Sequence, residues 1–296
     1  MSEIFSHQEY WRDPSLALST LGALLSSSAF CLFLGAGVST GFGLPGWKGL
    51  IARILKKDTD LEFVEELDRR SVKDLPLLLD EIDDGSLGYL ERVHEALYRD
   101  ASADLSDQLM RSPLLLAVAA LMAGAHRGRI ATVITYNYDD LLEQYLRMLG
   151  LSVCSRLRPD VLSTRADVEL NYVHGYLPQH WDAPKFTADA LVLSNASYIK
   201  RAAINSGWSA STENLLHSKL GLFLGLSGDD DSMLVTLTKV KNQIARSQDY
   251  IGYWILTPDA FARNKNRILR TGACPIPVDK DEIPKYLFKV CQAATA

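Results

Sequence analysis

Short, continuous apolar runs alternate along the chain with segments of helical periodicity. The first such run, residues 30–34 (FCLFL), follows an Ala/Leu-rich helical pattern over residues 15–28 and ends at a glycine. A continuous apolar run of this length predicts a strand that is buried on both faces, as in a parallel sheet. Residues 47–55 then have apolar side chains at helical spacing. The first unit is therefore predicted to be a strand, a glycine loop and a helix.

Later runs repeat this pattern of strand, loop and helix. The further candidate strands are residues 130–135, 151–154, 169–174, 190–193, 221–226 and 250–256, and the clearest helices between them are residues 138–149, 194–203 and 232–244. Strands that alternate with helices predict an α/β fold with a doubly wound parallel sheet of Rossmann-like type. Ligands bind such sheets where the loops after several strands converge, so we expect chemistry just after the strands.

Residues 58–129 differ from the rest of the chain, because they carry helical signals and almost no strand signal. We therefore predict an inserted all-helical lobe over residues 58–129, within a domain formed by residues 1–57 and 130–296. Residues 75–79 and 114–122 make this lobe rich in apolar side chains. That surface is expected either to pair with a second copy of the chain or to be buried in a closed helical bundle.

Composition and charge narrow the functional class. With 47% hydrophobic and 23% charged residues, the chain is an ordinary folded protein, and a formal net charge of -5 disfavours a dedicated nucleic-acid binder. The one basic run, residues 263–270, is expected to be a solvated helix face. The four cysteines lie far apart, so neither a zinc site nor a disulfide framework is predicted. Without a membrane-span or signal-peptide pattern, we expect a cytoplasmic location.

The loop after the first strand begins with residues 35–39 (GAGVS) and continues to Trp47. Two glycines separated by one methyl group allow backbone amides to approach a phosphate closely, and Ser39 adds a hydroxyl donor. The Rossmann fingerprint needs a glycine at the position of Thr40, so an ordinary dehydrogenase is not supported. By itself the loop is equally consistent with a tight turn between a strand and a helix.

Two further strand ends carry polar residues. Residues 135–139 (TYNYD) follow the strand at 130–135, and His174-Gly175 ends the strand at 169–174. Asn137 or Asp139 alone would be explained as a helix N-cap. A lone histidine is usually structural, yet His174 stands where a general base would be accessible, at the end of a buried strand and before a glycine.

Taken together, GAGVS with GLPGW, TYNYD about a hundred residues later, and HG resemble the motifs of the sirtuin-type (Sir2-like) NAD-binding domain. The family has GAGxSxxxGIPDFR, TQNID and HG, and the similarity extends over roughly residues 17–257. Tyr136 replaces the family's glutamine, residues 46–48 (GWK) replace Asp-Phe-Arg, and the zinc-binding cysteines are absent. These departures are typical of a bacterial Sir2-like branch that resembles NAD-degrading effectors of anti-phage defence.

The resemblance implies an NAD+ glycohydrolase that forms nicotinamide and ADP-ribose, in which NAD is the substrate and no metal is used. Asn137 would orient the ribose or the attacking water, and His174 would accept a proton. Asp139 would brace its loop. The residues implied to bind NAD are Gly35, Ala36, Gly37, Ser39, Pro45, Trp47, Thr135, Asp139, Ser227 and Asp230. The last two belong to residues 225–231 (GLSGDDD), whose aspartates are equally explained as a helix N-terminus rich in acids.

Two other functional classes stay open from the sequence. One is an NAD-dependent protein deacylase or ADP-ribosyltransferase, which is less favoured because the zinc module partly shapes the acyl-lysine tunnel of deacylases. The other is an NAD-binding scaffold subunit with weak catalysis. The resemblance to defence effectors implies control by self-assembly into a homo-oligomer or by a separate regulatory protein, such as a HerA-type ATPase or a short Argonaute. Neither a membrane nor direct nucleic-acid binding is expected.

Overall fold

The computed structural model describes residues 10–70, 72–102, 104–123, 130–159, 165–181, 191–197, 199, 206–228, 231–243 and 250–295. Within these residues, strands and helices alternate as the sequence predicts. The helices are α1 (Pro14–Ser27), α2 (Trp47–Ile54), α3 (Leu61–Arg69), α4 (Leu87–Tyr98), α5 (Leu105–Met110), α6 (Pro113–Ala123), α7 (Leu141–Met148), α8 (Ser206–Ser218), α9 (Asp231–Gln243), α10 (Pro258–Arg270) and α11 (Ile283–Thr295). The strands are β1 (Phe30–Leu34), β2 (Thr132–Thr135), β3 (Val153–Arg156), β4 (Val168–Tyr172), β5 (Leu220–Leu224), β6 (Gly252–Leu256) and β7 (Ala273–Pro277).

The described strands form one parallel sheet in the order β3-β4-β2-β1-β5-β6-β7. Strand β1 lies at the centre, paired with β2 on one side and β5 on the other, and all of its residues are buried. The chain winds outward from β1 in both directions, which confirms the predicted doubly wound α/β fold. The order reverses between β1 and β5, so the crevice between their loops is where this fold class binds ligands.

Each face of the sheet is covered by its own hydrophobic core. Leu32 and Leu34 of β1 face the larger cluster, in which α1, α6 and α11 pack. Phe33 faces the other cluster, where its ring stacks on Phe223 with centroids 4.6 Å apart, and Phe223 stacks on Trp254 at 4.7 Å. Alternate residues of one strand thus serve two cores, which is why β1 is continuously apolar.

The described residues between α2 and β2 form α3 to α6 and a 3₁₀ helix at Val72–Leu79. Leu75, Leu79 and most apolar side chains of α6 are buried in the same cluster as the sheet, whereas Leu77 and Leu116 are 53% and 48% exposed. The apolar surface that motivates self-association is therefore largely covered within one chain. The homo-oligomer and the division into a domain and a lobe stay predictions.

The structure differs from the sequence-based prediction in several strands and helices. Strand β7 has no counterpart among the predicted strands, because Pro275 and Pro277 argue against a strand at these positions. The strand accepts both prolines because it lies at the edge of the sheet. The predicted strand at 190–193 is wrong where it is described, since Leu191 forms only an isolated antiparallel bridge with Gly175. Residue 190 and part of the helix predicted at 194–203 lie outside the described residues.

The helix predicted at 138–149 begins only at Leu141, and Gly150, at φ 82°, follows its C-terminal end as predicted. The basic run at 263–270 lies on α10, as expected. No helix in the described part of the chain is long and apolar enough to cross a membrane.

Candidate active site

The loops after β1, β2, β4 and β5 meet at one edge of the sheet. The ladder continues beyond the strands, because the Tyr136 amide donates to the Leu34 carbonyl at 2.9 Å and the Val173 amide donates to the Thr135 carbonyl at 3.2 Å. On the other side of β1, the Gly35 amide donates to the Leu224 carbonyl at 3.0 Å. The strand ends that carry GAGVS, TYNYD and HG are therefore neighbours, as the position of each motif in the sequence predicts.

The glycines of the first loop allow its backbone to lie directly on the loop after β5. The Gly37 amide donates to the Gly225 carbonyl at 2.9 Å, and a Cβ atom on Gly37 would stand 2.8 Å from the Gly225 Cα. A Cβ atom on Gly35 would be 2.6 Å from the Gly225 carbonyl oxygen. Gly225 itself has φ +70° and no space for a side chain, so only glycine fits there.

This packing changes the explanation of the GAG motif. The amides of Gly35, Gly37 and Ser39 all donate within the chain, the last of them to the Ala36 carbonyl at 2.9 Å. A phosphate bound at this loop would have to use other groups unless the loop rearranges. Phosphate binding by Gly35, Ala36, Gly37 and Ser39 stays a prediction. The structure shows a different reason for the glycines, which is the close packing of this loop on the backbone of Gly225.

Side chains from the first and second loops form a hydrogen-bonded network. Asn137 Nδ2 donates to Ser39 Oγ at 3.1 Å, and the Ser39 hydroxyl is bonded to the Asp139 carboxyl group. The Asn137 amide also donates to Thr135 Oγ1 at 3.1 Å, and the Leu141 amide donates to Asp139 Oδ1 at 3.2 Å. Four of the predicted site residues, separated by up to about a hundred positions in sequence, thus lie in one network.

Asp139 is the buried acid of this network, with 7% of its surface exposed. The pKa of Asp139 is raised from 3.8 to about 6, chiefly by burial and to a smaller extent by the neighbouring Asp140. Hydrogen bonds from Ser39 and from the Leu141 amide lower the same pKa and hold the increase down. Because desolvation prevails, the Asp139 carboxyl group changes its charge near neutral pH.

A small cavity lies beside the network, and about 10 Å³ of it is open to the centre of a water-sized sphere. Its polar wall is formed by Ser39, Thr135, Asn137 and Asp139, and its apolar wall includes Tyr172 and leucines from α6 and α7. One side therefore offers hydrogen-bonding groups while the other excludes water. A volume of this size holds about one water molecule, so the cavity as it stands is too small for an organic ligand.

His174 lies beyond the end of β4 and is half-buried. Its ring packs edge-on against Tyr136, with centroids 5.0 Å apart and planes at 87°. The His174 carbonyl accepts from the Val192 amide at 2.8 Å. Tyr136, which takes the place of the family's glutamine, therefore contacts the proposed base directly.

The remaining predicted residues are not part of this network. Pro45 and Trp47 are half-buried at the start of α2, and Trp47 packs against the larger core. Ser227 is exposed after β5, in the loop that packs on the GAG glycines. Asp230 lies outside the described residues, so its predicted role has no structural test.

Two residues that the sequence does not single out hold the loop after β5. Trp254 Nε1 donates to the Leu226 carbonyl at 3.0 Å, and Asn264 Nδ2 donates to the Ser227 carbonyl at 2.8 Å. Asn264 is buried although it lies within the basic run of α10. In the sequence, Asn264 stands four residues after Ala260 and four before Ile268, so helical spacing places it on the inward face of the helix.

Among the described residues, no group of three or more His, Cys, Asp and Glu side chains could hold a metal ion. The four cysteines are free thiols, and Cys31 and Cys274 are buried. Burial raises the pKa of Cys274 to about 12, which keeps that thiol protonated.

Comparison with protein families gives one match. Residues 131–273 match the family model of the SIR2-like domain. The match includes TYNYD, the HG pair and the loop after β5, and it leaves the GAGVS loop outside. A comparison with curated proteins found no match. With the motifs, the parallel sheet and the family match in agreement, the chain contains a SIR2-like domain.

Proposed function

We propose that this protein is an NAD+ hydrolase that cleaves the bond between nicotinamide and ribose. The observation that carries the proposal is the placement of Asn137 in the network with Ser39 and Asp139, within a SIR2-like domain. Asn137 directly follows Tyr136, whose ring packs against His174. The family match supports an NAD-related function.

The chemistry requires stabilisation of a developing positive charge on the ribose and delivery of water. The bond from the ribose C1′ to the nicotinamide nitrogen breaks, and nicotinamide leaves as a neutral molecule, so little acid catalysis is needed. A water oxygen bonds to C1′, and the proton that it loses passes to His174 and then to solvent. NAD and water are thus converted to nicotinamide, ADP-ribose and one proton.

Asn137 is suited to orient the water or a ribose hydroxyl. Because its Nδ2 donates to Ser39, its carbonyl oxygen is the group left to accept a hydrogen bond from the ligand. In this proposal Asp139 braces that orientation through the Ser39 hydroxyl. The first loop, Pro45 and Trp47 would contact the phosphates and the nicotinamide ribose, and Ser227 and Asp230 would contact the adenosine ribose.

Incubation of the purified protein with NAD alone tests the proposal. We expect equal amounts of nicotinamide and ADP-ribose, and a loss of at least about 10²-fold in both Asn137→Ala and His174→Ala. Asn214→Ala is the matched control, because Asn214 is exposed on α8. Turnover only after an acylated or acceptor protein is added would indicate a deacylase or transferase, and no turnover at all would indicate a scaffold. Parental activity in Asn137→Ala would contradict the mechanism.

We further propose that the activity serves anti-phage defence by abortive infection. Support comes from Tyr136 and Trp47, which depart from the deacylase motifs in the way typical of the bacterial branch. Control would come from self-assembly or from a regulatory protein such as a HerA-type ATPase or a short Argonaute. Co-expression with such a partner should then change the rate of NAD loss measured in cells, whereas an unchanged rate would speak against that partner.

A further inference from the structure

Helix α4, which lies outside the family match, contacts the segment that follows His174. The Tyr98 hydroxyl donates to the Leu177 carbonyl at 2.8 Å. One turn earlier on the same helix, His94 Nε2 lies 3.2 Å from the Pro178 carbonyl oxygen and 3.0 Å from that of Gln179. Since carbonyl oxygens only accept hydrogen bonds, this ring nitrogen carries a proton and donates.

The same segment is bonded to the loop that carries Asn137. The Leu177 amide donates to the Tyr138 carbonyl at 2.7 Å, and the Gln179 amide donates to Asp140 Oδ1 at 3.0 Å. The Tyr98 oxygen also lies 3.4 Å from Asp140 Oδ1. Helix α4, the loop after β2 and the segment after β4 therefore meet at one junction.

Aromatic rings and a buried leucine pack at this junction. The His94 ring stacks on Trp181, with centroids 5.1 Å apart and planes at 18°, and its centroid lies 4.9 Å from that of Tyr98. Leu177 is buried, and hydrogen bonds that are shielded from water in this way are stronger than exposed ones. Only Gly175 and Tyr176 separate His174 from Leu177, so a shift of this segment is transmitted to His174.

We infer that Tyr98 and His94 are positioning residues, which hold the segment after His174 against the loop that carries Asn137 and so fix the relative placement of the two proposed catalytic side chains. The inference rests on the proposed function for its effect on turnover. It assigns a role in the site to helix α4, which contributes no residue to any of the motifs.

The test compares two phenylalanine variants of the same helix. Tyr98→Phe removes the hydroxyl that bonds Leu177 and keeps the ring. Tyr89→Phe is the matched control, because the buried Tyr89 hydroxyl has no hydrogen-bond partner among the described residues. We expect kcat for NAD hydrolysis to fall about threefold to tenfold in Tyr98→Phe, with little change in KM, and to stay at the wild-type value in Tyr89→Phe. His94→Phe should lower kcat in the same way.

Hydrogen exchange gives a readout that does not depend on turnover. The amides of Leu177 and Gln179 should exchange faster in Tyr98→Phe than in the wild-type protein, while Tyr89→Phe leaves them unchanged. If wild-type protein does not hydrolyse NAD, the proposed function fails, and the exchange rates still decide the inference. Unchanged exchange in Tyr98→Phe, or wild-type kcat in an active protein, overturns it.

Discussion

The loops after β1 and β2 lie side by side at the same sheet edge, yet they are built in opposite ways. The first loop depends on the absence of side chains, since Gly35 and Gly37 let its backbone contact Gly225. The second depends on their presence, since Asn137 and Asp139 are tied together through Ser39. The difference shows that a glycine-rich string at a strand end can be fixed by backbone packing, even where a ligand explanation is attractive.

The largest effect on stability is expected from Gly225→Ala, which disrupts the backbone packing between the loops after β1 and β5. The new methyl group would have to occupy a left-handed conformation, 2.8 Å from the Gly35 carbonyl oxygen. We expect the free energy of unfolding to fall by about 3–5 kcal/mol in urea denaturation. Gly41→Ala is the control, because a Cβ atom there meets nothing within 4 Å, and it should change stability by less than about 0.5 kcal/mol. Equal stabilities would disprove the packing argument.

A smaller effect, which depends on pH, is expected from Asp139→Asn. The pKa of Asp139 is about 6 in the folded protein against an ordinary value of 3.8, so between these pH values the folded state keeps a proton that the unfolded state has lost. Stability from this group is therefore present below about pH 4 and is lost as the pH rises to about 6. Relative to the wild-type protein, Asp139→Asn should gain up to about 3 kcal/mol between pH 4 and pH 7.

Chemical denaturation across this pH range measures that change. Asp281→Asn, at an exposed aspartate, is the control and should show no comparable trend. If the stability difference between Asp139→Asn and wild-type protein were the same at pH 4 and pH 7, Asp139 would not hold a proton in the folded state.

The smallest effect is expected from Asn264→Ala, which extends the comparison to the loop after β5. Loss of the bond to the Ser227 carbonyl should lower stability by about 1 kcal/mol. If Ser227 contacts the adenosine ribose, KM for NAD should also rise while kcat is maintained. Asn266→Ala, at an exposed position on the same helix, should alter neither quantity. An unchanged KM for NAD in Asn264→Ala would indicate that this loop does not take part in NAD binding.

The sequence predicts the parts of the fold that depend on local pattern. Strand β1 matches its prediction residue for residue, because its five residues face two cores and none can be polar. The motif positions also predict which loops meet, since parallel strands end at one edge. The strand β7 is missed because Pro275 and Pro277 carry no strand signal, although an edge strand accepts them.

What the sequence does not predict are contacts between distant positions. Ser39 and Asn137 are each recognisable in a motif, but their hydrogen bond requires β1 and β2 to be paired first. Asn264 and Tyr98 have no motif, since their partners are backbone carbonyl groups, which have no sequence identity. The hydrogen-bonded network of Asp139 likewise cannot be predicted until the fold shows that Asp139 is buried beside Ser39.

The central position of β1 has a consequence for how the protein is made. Its neighbour β5 is paired from Phe30 with Leu220 to Leu34 with Leu224, so the two strands are far apart in the chain. During synthesis, β1 remains without this neighbour until residue 220 has left the ribosome, and the GAGVS loop cannot rest on Gly225 before then. Parallel pairing over such long separations is intrinsically slow. The nascent chain therefore carries an unfinished apolar edge through most of its synthesis, a stage at which chaperone binding would protect it from aggregation.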